Sequence, residues 1–540
     1  MKKHNLLKVL GITFLAVLVL TWITPAGYYS NGEFVDAGTM PLGFFDLART
    51  PLIAVANLLQ YGILFALIGG FYGVLAKTGV YLPLVDKIVN KWKGKERALL
   101  AILTITFTLI SAITGLDLFL LVLTPFIASI VMGIGCDKIS AMLVTIGSII
   151  IGKIGSVYST SVSFYSNQYL GIENNNNLLV KLVICFVVTA LYTLFIVMRN
   201  KKNVTVAKNE EIVKKEVVVK KSAVKKEDSK VKAEVKKESK KTATTKKASN
   251  SKKTTDKKAS KKTTKKTTKK TTKRTTKACA KAVDTIVVKT DKKKSALPLI
   301  ILLVLVSVVI VAAMYNWATA FEIKFFEDLY TDIMGIKIKD YTLVANLLGS
   351  VTPFGNWGIY DLIIFLIIIT PVFGWLYGVK LDDMIDGFVT GVKKFLPAAS
   401  LAVLANVIYA AMYSNSTGAN IMFTFANWLF DLTKDFNVIT TSLVAGLGSF
   451  FFNDFQALIG SLSAPIATVY TDASVYPFIS IIFQTVYGFV MMIAPTSVLL
   501  IGGLGLFDIS LCEWFKNIWR FLLKLFIVIV IMFIIIAMFI

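Results

Sequence analysis

The stretch APTSVLLIGG (residues 494–503) lies inside an apolar run, Pro477 to Phe507, that would otherwise read as one continuous membrane-spanning helix. A proline, two hydroxyls and paired glycines interrupt it. A helix in lipid has no water to repair the backbone hydrogen bonds that a proline removes, so the interruption needs other protein or a wet cavity beside it. The stretch predicts a discontinuous helix inside a bundle.

Composition fixes the surroundings of that helix. Apolar residues make up 55% of the 540 residues and the mean hydropathy is +0.68. The apolar residues fall in runs of about 20, the length that crosses a bilayer. An all-α, polytopic membrane protein follows. The net charge of +26 suggests a nucleic-acid binder until it is located: residues 199–294 hold 36 of the 59 basic and 10 of the 33 acidic residues, so all the excess belongs to one insert. With KKTTKKTTKKTTKR at its core the insert has too few apolar residues to fold, and it reads as a disordered linker between a first membrane half (1–198) and a second (295–540). As a solvated tether it attracts anionic lipid headgroups. As an arm on a membrane anchor it would bind nucleic acid through phosphates, without reading sequence.

The missing residues exclude chemistry. His4 is the only histidine, and Cys136, Cys185, Cys279 and Cys512 are scattered. Histidine acid–base work, a zinc site and a disulfide framework are therefore not indicated. No nucleophile–base pair is evident, so an enzyme is not expected.

The opening stretch has a counterpart. LTPFIASIVMGIGCDKISAMLVTIGSIIIGKIGSVYSTS (123–161) and SAPIATVYTDASVYPFISIIFQTVYGFVMMIAPTSVLLIGG (463–503) each carry a small or hydroxyl residue before proline, Thr124-Pro125 and Ala464-Pro465. Each breaks 31 residues later, at Ser156 and Thr496. Two inverted repeats are the expectation, with broken helices near 139–170 and 477–507. Inverted repeats in secondary transporters place such helices near the bilayer midplane, where freed N–H groups meet an anion and loose carbonyls meet the coupling cation. Ahead of each proline lies a short polar-apolar stretch, SAITGLDLFLLVL (111–123) and GSFFFNDFQALIGSL (448–462). These suit re-entrant hairpins near 111–135 and 446–470. Thr124, Ser156, Ser159, Thr160, Asn453 and Ser463 supply oxygens at these features without buried charge.

Three ionisable residues lie in or beside the breaks and hairpins, where charge is costly and so a functional suspect. Asp117 could ligate a cation, carry a proton or be an interfacial acid. Lys153 could hold a substrate carboxylate, stand in for a bound cation or snorkel to the interface. Asp454 reads as a hairpin-tip acid. Tyr165-Ser166-Asn167 and Tyr413-Ser414-Asn415 repeat a tripeptide, but the proline register does not superpose them, and the repeat reads as coincidence.

MKKHNLLK before LGITFLAVLVLTWI has the ingredients of a secretory signal, yet among so many spans it reads as an uncleaved first span. Lys2, Lys3, Lys8 and the loop KTGVYLPLVDKIVNKWKGKER (77–97) are basic, whereas 25–50 offers only Arg49. The N-terminus, that loop and the insert are therefore expected on the cytoplasmic side of the cell membrane.

TWITPAGYYSNGEF (21–34), IGGFYGVLAKTG (68–79), IDGFVTGVKKFLPAA (385–399) and APTSVLLIGGLGLFDISLCEWFK (494–516) resemble the YfcC-type, C4-dicarboxylate anaerobic carrier-like branch of the ion transporter superfamily. The resemblance implies a scaffold part and a moving transport part, two re-entrant hairpins, and ion-coupled movement of carboxylates or amino acids. It carries over Pro495, Thr496 and Ser497 at the second break, Gly155 and Ser156 at the first, and Asp117 at an acidic hairpin. Two phrases depart from its pattern, NDFQALIGS at the second hairpin tip and Ser159-Thr160 after the first break. The sequence thus predicts an alternating-access carrier needing no cofactor beyond Na+ or H+ as coupling ion. Its partners would be a small carboxylate or amino acid and the bilayer, with a homodimer left open.

Overall fold

The computed structural model describes residues 2–173, 176–200, 294–339, 341–412, 418–433 and 435–538. The lysine-rich segment 201–293 and the second Tyr-Ser-Asn run, with the expectations placed on them, lie outside the described residues.

The first half opens with α1 (Lys2–Ile23), whose Leu6, Leu10, Phe14 and Val17 are buried in the common core. A short hairpin, β1 (Gly27–Ser30) and β2 (Glu33–Asp36), turns through Asn31 and Gly32, both at positive φ, as a two-residue Asn-Gly turn requires. Then come α2 (Asp46–Lys77), α3 (Tyr81–Lys91), α4 (Glu96–Thr114), α5 (Asp117–Gly133), α6 (Lys138–Met142), a π turn (Leu143–Gly147), α7 (Ser148–Ile154), α8 (Ser163–Leu170) and α9 (Leu178–Arg199).

The second half holds α10 (Leu297–Met314), α11 (Trp317–Phe321), α12 (Phe325–Met334), the two-residue strands β3 and β4 (Lys337–Ile338 and Tyr341–Thr342) and α13 (Leu343–Leu348). These lead to α14 (Ile359–Leu376), α15 (Leu381–Leu404), α16 (Val407–Met412), α17 (Ile421–Asp431), α18 (Val438–Phe451), α19 (Phe455–Val469), α20 (Tyr476–Met491), α21 (Val498–Phe507) and α22 (Leu511–Ala537). The architecture is all-helical and multi-pass: among the described residues nine helical stretches are long and apolar enough to cross a membrane.

Four shorter apolar helices, α5, α18, α19 and α21, do not reach that length. They belong to the features the sequence singled out. The helix pair α4–α5 turns at Gly115–Leu116 and the pair α18–α19 turns at Phe452–Asp454. Pro125 and Pro465 each lie inside the second arm of their pair. Regular helix stops at Gly155 and resumes at Ser163 in the first half, and stops after Met491 and resumes at Val498 in the second.

The first pair is longer than the 111–135 hairpin expected, because α4 runs unbroken from Glu96. The polar residues near its end find partners without ending the helix: Thr114 Oγ1 donates to Ile110 O of its own helix at 2.6 Å, and Ser111 Oγ reaches Ile149 O of α7 at 2.9 Å. Their polarity therefore does not begin a new element.

One helix crossing organises the bundle. Gly69 and Gly73 of α2 lie against Gly387 and Gly391 of α15, so close that a methyl on Gly69 would stand 2.6 Å from Gly391 O and one on Gly387 2.8 Å from Gly73 O. Two of the phrases that carry the resemblance, IGGFYGVLAKTG and IDGFVTGVKKFLPAA, are thus two faces of a single small-residue contact of the kind that joins helices in membranes.

The broken helices run side by side. Gly488 of α20 packs on Ile154 at the end of α7, where its own Cβ would meet Ile154 N at 2.8 Å, and Gly503 of α21 packs on Ile146 of the π turn. Ser166 Oγ of α8 donates to Ser480 Oγ of α20 at 2.6 Å.

Candidate functional site

The tip of the first hairpin is pressed into the first break. Gly115 ends α4 at φ 68, and a side chain there would stand 2.8 Å from the backbone nitrogens of both Thr160 and Ser161. Only glycine satisfies both demands. The contact is sealed by hydrogen bonds: Val157 N donates to Ala112 O at 2.8 Å, and Thr160 donates to Thr114 O from both its N (3.3 Å) and its Oγ1 (3.1 Å). The break's loosened backbone is thereby paired with the hairpin instead of with a continuing helix.

Asp117 and Lys153 meet at this junction. Asp117 opens α5 and Lys153 lies in the last turn of α7, each 7% exposed, and they form a direct ion pair. Each charge also has a favourable helix end, an acid at an N-terminus and a base at a C-terminus. Ser111 Oγ donates to Asp117 Oδ1 at 2.7 Å and Ser161 Oγ to Oδ2 at 3.3 Å. Ser159 Oγ holds Ser161 through Oγ at 3.0 Å and N at 3.2 Å. Lys153 therefore does not snorkel to an interface; its partner is internal.

The second hairpin tip faces the same region. Asp454 caps α19, accepting from Ala457 N at 3.3 Å, and Lys153 acts on its carboxylate through space. Asp117 and Asp454 both lie within electrostatic reach of the Tyr61 hydroxyl of α2 and the Tyr487 hydroxyl of α20. The Asp454 side chain itself is exposed. Next to it Asn453 Nδ2 donates to Asn406 Oδ1 at 2.6 Å, and Tyr487 OH donates to Asn453 O at 3.3 Å. Asn406 is itself a break residue, between α15 and α16.

The remaining expected residues scatter. Ser156 is buried in the break, where its Oγ lies 3.1 Å from Ser163 Oγ and its carbonyl accepts from the same hydroxyl at 3.0 Å. Gly155 admits α9: a Cβ there would stand 2.8 Å from Cys185 N. Thr124 Oγ1 donates to Leu120 O and Ser463 Oγ to Gly460 O, each within its own helix, so neither is turned toward the junction. In the second break Pro495 precedes two buried hydroxyls. Ser497 caps α21, accepting from Leu500 N at 3.3 Å. Thr496 Oγ1 is fully enclosed and has no hydrogen-bond partner among the described residues.

Ser111, Ser161, Asn406, Tyr61 and Tyr487 join the site without having been singled out. Ser161 belongs to the polar run after the break, and Asn406 is a lone amide in LAVLANVIYAAM, so both left a trace in the sequence. Tyr61 and Tyr487 left none, since tyrosine is common in apolar helices.

The junction gathers polar groups of several kinds. The N-termini of α5 and α19 each hold an acid of their own, Asp117 and Asp454, so donors for an anion are left to the hydroxyl and amide groups. Hydroxyl oxygens, main-chain carbonyls and carboxylates offer acceptors for a cation.

A family model described as a citrate transporter, CitMHS, matches residues 5–423, a range that takes in the first hairpin, the first break and the Asp117–Lys153 pair. Among solved structures, the Alcanivorax borkumensis YdaH transporter aligns over 98% of this chain and 98% of its own, at 14% identity and a TM-score of 0.38. No curated protein matches the chain.

Proposed function

The chain belongs to the CitMHS citrate transporter family, a membership that makes it a membrane transport protein and not an enzyme, and from that premise we propose an ion-coupled secondary carrier of small di- or tricarboxylates. The reading narrows the expectation from the sequence, carboxylates or amino acids, to the class the family handles. The YfcC-type resemblance agrees with it at the level of a carboxylate carrier. Transport proceeds by alternating access across the cytoplasmic membrane, with the N-terminus inside.

The observation that carries the proposal is the buried Asp117–Lys153 pair at the junction of the first hairpin tip with the first break, inside the range that the family matches. With Asp454 of the second tip the junction counts three ionisable groups, and their formal charges sum to one negative. An anionic substrate adds to that charge in a medium of low polarity, where unbalanced charge is strongly disfavoured. Substrate entry is therefore favourable only when positive charge accompanies it, and this is the physical basis of coupling. The donors near the second tip, Asn453 and Asn406, hold the carboxylates. Once both partners are loaded, the transport part moves against the scaffold formed around the α2–α15 crossing.

Gradient-driven uptake of labelled citrate and of shorter dicarboxylates into proteoliposomes tests this. Uptake should collapse when the Na+ and H+ gradients are both dissipated. If no member of a di- and tricarboxylate panel accumulates under any ion gradient, the carrier reading is abandoned.

A further inference from the structure

We propose that Lys153 is the resident cation of the first hairpin: its ammonium fills the place in which the Asp117 carboxylate and the Ser111 and Ser161 hydroxyls would otherwise hold a metal cation, so this half of the carrier takes no Na+. The inference rests on the carrier reading and deepens it, by assigning which side of the junction the coupling ion does not use.

The oxygen set is that of a hard-cation site. A carboxylate has one oxygen 2.7 Å from Ser111 Oγ and the other 3.3 Å from Ser161 Oγ, and the Ile149 carbonyl lies 2.9 Å from that same Ser111 hydroxyl. Carboxylate, hydroxyl and carbonyl oxygens gathered around one buried carboxylate are the ligand types that a Na+- or Ca2+-type ion selects. Here that carboxylate is already neutralised by an amine tethered to the end of α7. A tethered group competes at a high effective concentration, so a free ion has to displace it as well as shed its own water.

The second half lacks this device. Counting from the paired prolines, Lys153 stands 28 residues after Pro125, and the residue 28 after Pro465 is Ile493. The acid of that half, Asp454, accepts from Ala457 N at its own helix start and is exposed. Among the described residues the two halves are therefore unlike in charge: one carries a closed ion pair and the other an acid without a paired lysine. The cation that must accompany an anionic substrate joins on the Asp454 side.

Thermal melts of the purified full chain, in NaCl and in choline chloride at equal ionic strength, test the assignment. In Lys153→Ala, which leaves the Asp117 site without its amine, Na+ should produce a saturable rise in Tm beyond any seen in the wild type, with choline ineffective. The double variant Asp117→Asn/Lys153→Ala, which removes the pair altogether, should lose that added rise. Two results overturn the proposal: a Lys153→Ala melt that responds to Na+ no more than the wild type, or a wild-type Na+ response that disappears in the double variant. The second comparison remains decisive if Lys153→Ala alone fails to fold. Failure of the carrier reading shows separately, as absent carboxylate uptake by the wild type in either salt.

Discussion

Tyr192 of α9 places its hydroxyl 2.7 Å from the Leu143 carbonyl, inside the π turn that divides the first broken helix. The Leu143 carbonyl also takes the Ser148 N–H five residues on, the π spacing, and a side chain inserted from a neighbouring helix accompanies such a widened turn. Gly147 makes the insertion possible, since a side chain there would collide with the Tyr192 hydroxyl. The widened turn thus has a stated cause one turn ahead of Lys153. Tyr192→Phe removes one of the hydrogen bonds to this carbonyl, which Ser148 also reaches through its N and its Oγ, and should cost about 0.5–1.5 kcal/mol. A drop in melting temperature with the apolar packing of the ring retained is the expected result.

The Asp117–Lys153 pair should behave as a unit. Removing one partner of a buried pair strands the other charge and costs about 3–5 kcal/mol, whereas removing both is much milder. Asp117→Asn and Lys153→Met should each lower stability and abolish uptake. The double variant should be more stable than the sum of the two losses allows. A double-mutant cycle on thermal melts measures the coupling, and additivity would show that the pair makes no joint contribution.

Much of this arrangement is legible in the sequence, and the remainder is hidden for identifiable reasons. The breaks show because Pro495, Thr496 and Ser497 violate the rules for a helix in lipid, and the equal spacing from Pro125 to Ser156 and from Pro465 to Thr496 falls on both. The pairing of Lys153 with Asp117 does not show: the residues are 36 apart and joined only when the hairpin tip docks on the break. Sequence likewise cannot tell whether a polar residue turns inward or back on its own helix. Thr124 and Ser463 do the latter, Ser111 and Ser161 the former. The glycine phrases 68–79 and 385–399 were visible as family marks, but their mutual contact is tertiary.

That contact yields a third prediction. At Gly391 an added side chain meets the carbonyl oxygen of Gly69 and lies 3.1 Å from Gly70 Cα, all backbone atoms that cannot swing aside. Gly391→Val should therefore separate α2 from α15 and cost at least the ~1–3 kcal/mol typical of overpacking. Gly11→Ala is the matched control, because nothing stands within 4 Å of a Cβ there. Size-exclusion profiles and melts of the two variants should diverge, with Gly11→Ala close to the wild type.

Thr496 gives the sharpest separation of binding from folding. Its Oγ1 is buried in the second break and finds no hydrogen-bond partner among the described residues, a condition that costs a folded protein about 1–3 kcal/mol. Threonine and valine have nearly the same shape, so Thr496→Val removes the unpaired hydroxyl while keeping the packing. If the hydroxyl exists only to fill space, the variant should be more stable and transport normally. If it is held ready for a substrate or coupling ion, the unliganded variant should still melt higher than the wild type, yet uptake should fall and added citrate should stabilise it less. We expect the second outcome, because an unpaired group beside Pro495 and the Ser497 cap, in a segment already released from helical pairing, is placed to receive what the rest of the fold does not supply. Melts with and without citrate, set beside initial uptake rates, distinguish the two, and a variant that melts higher and transports at the wild-type rate would remove Thr496 from the site.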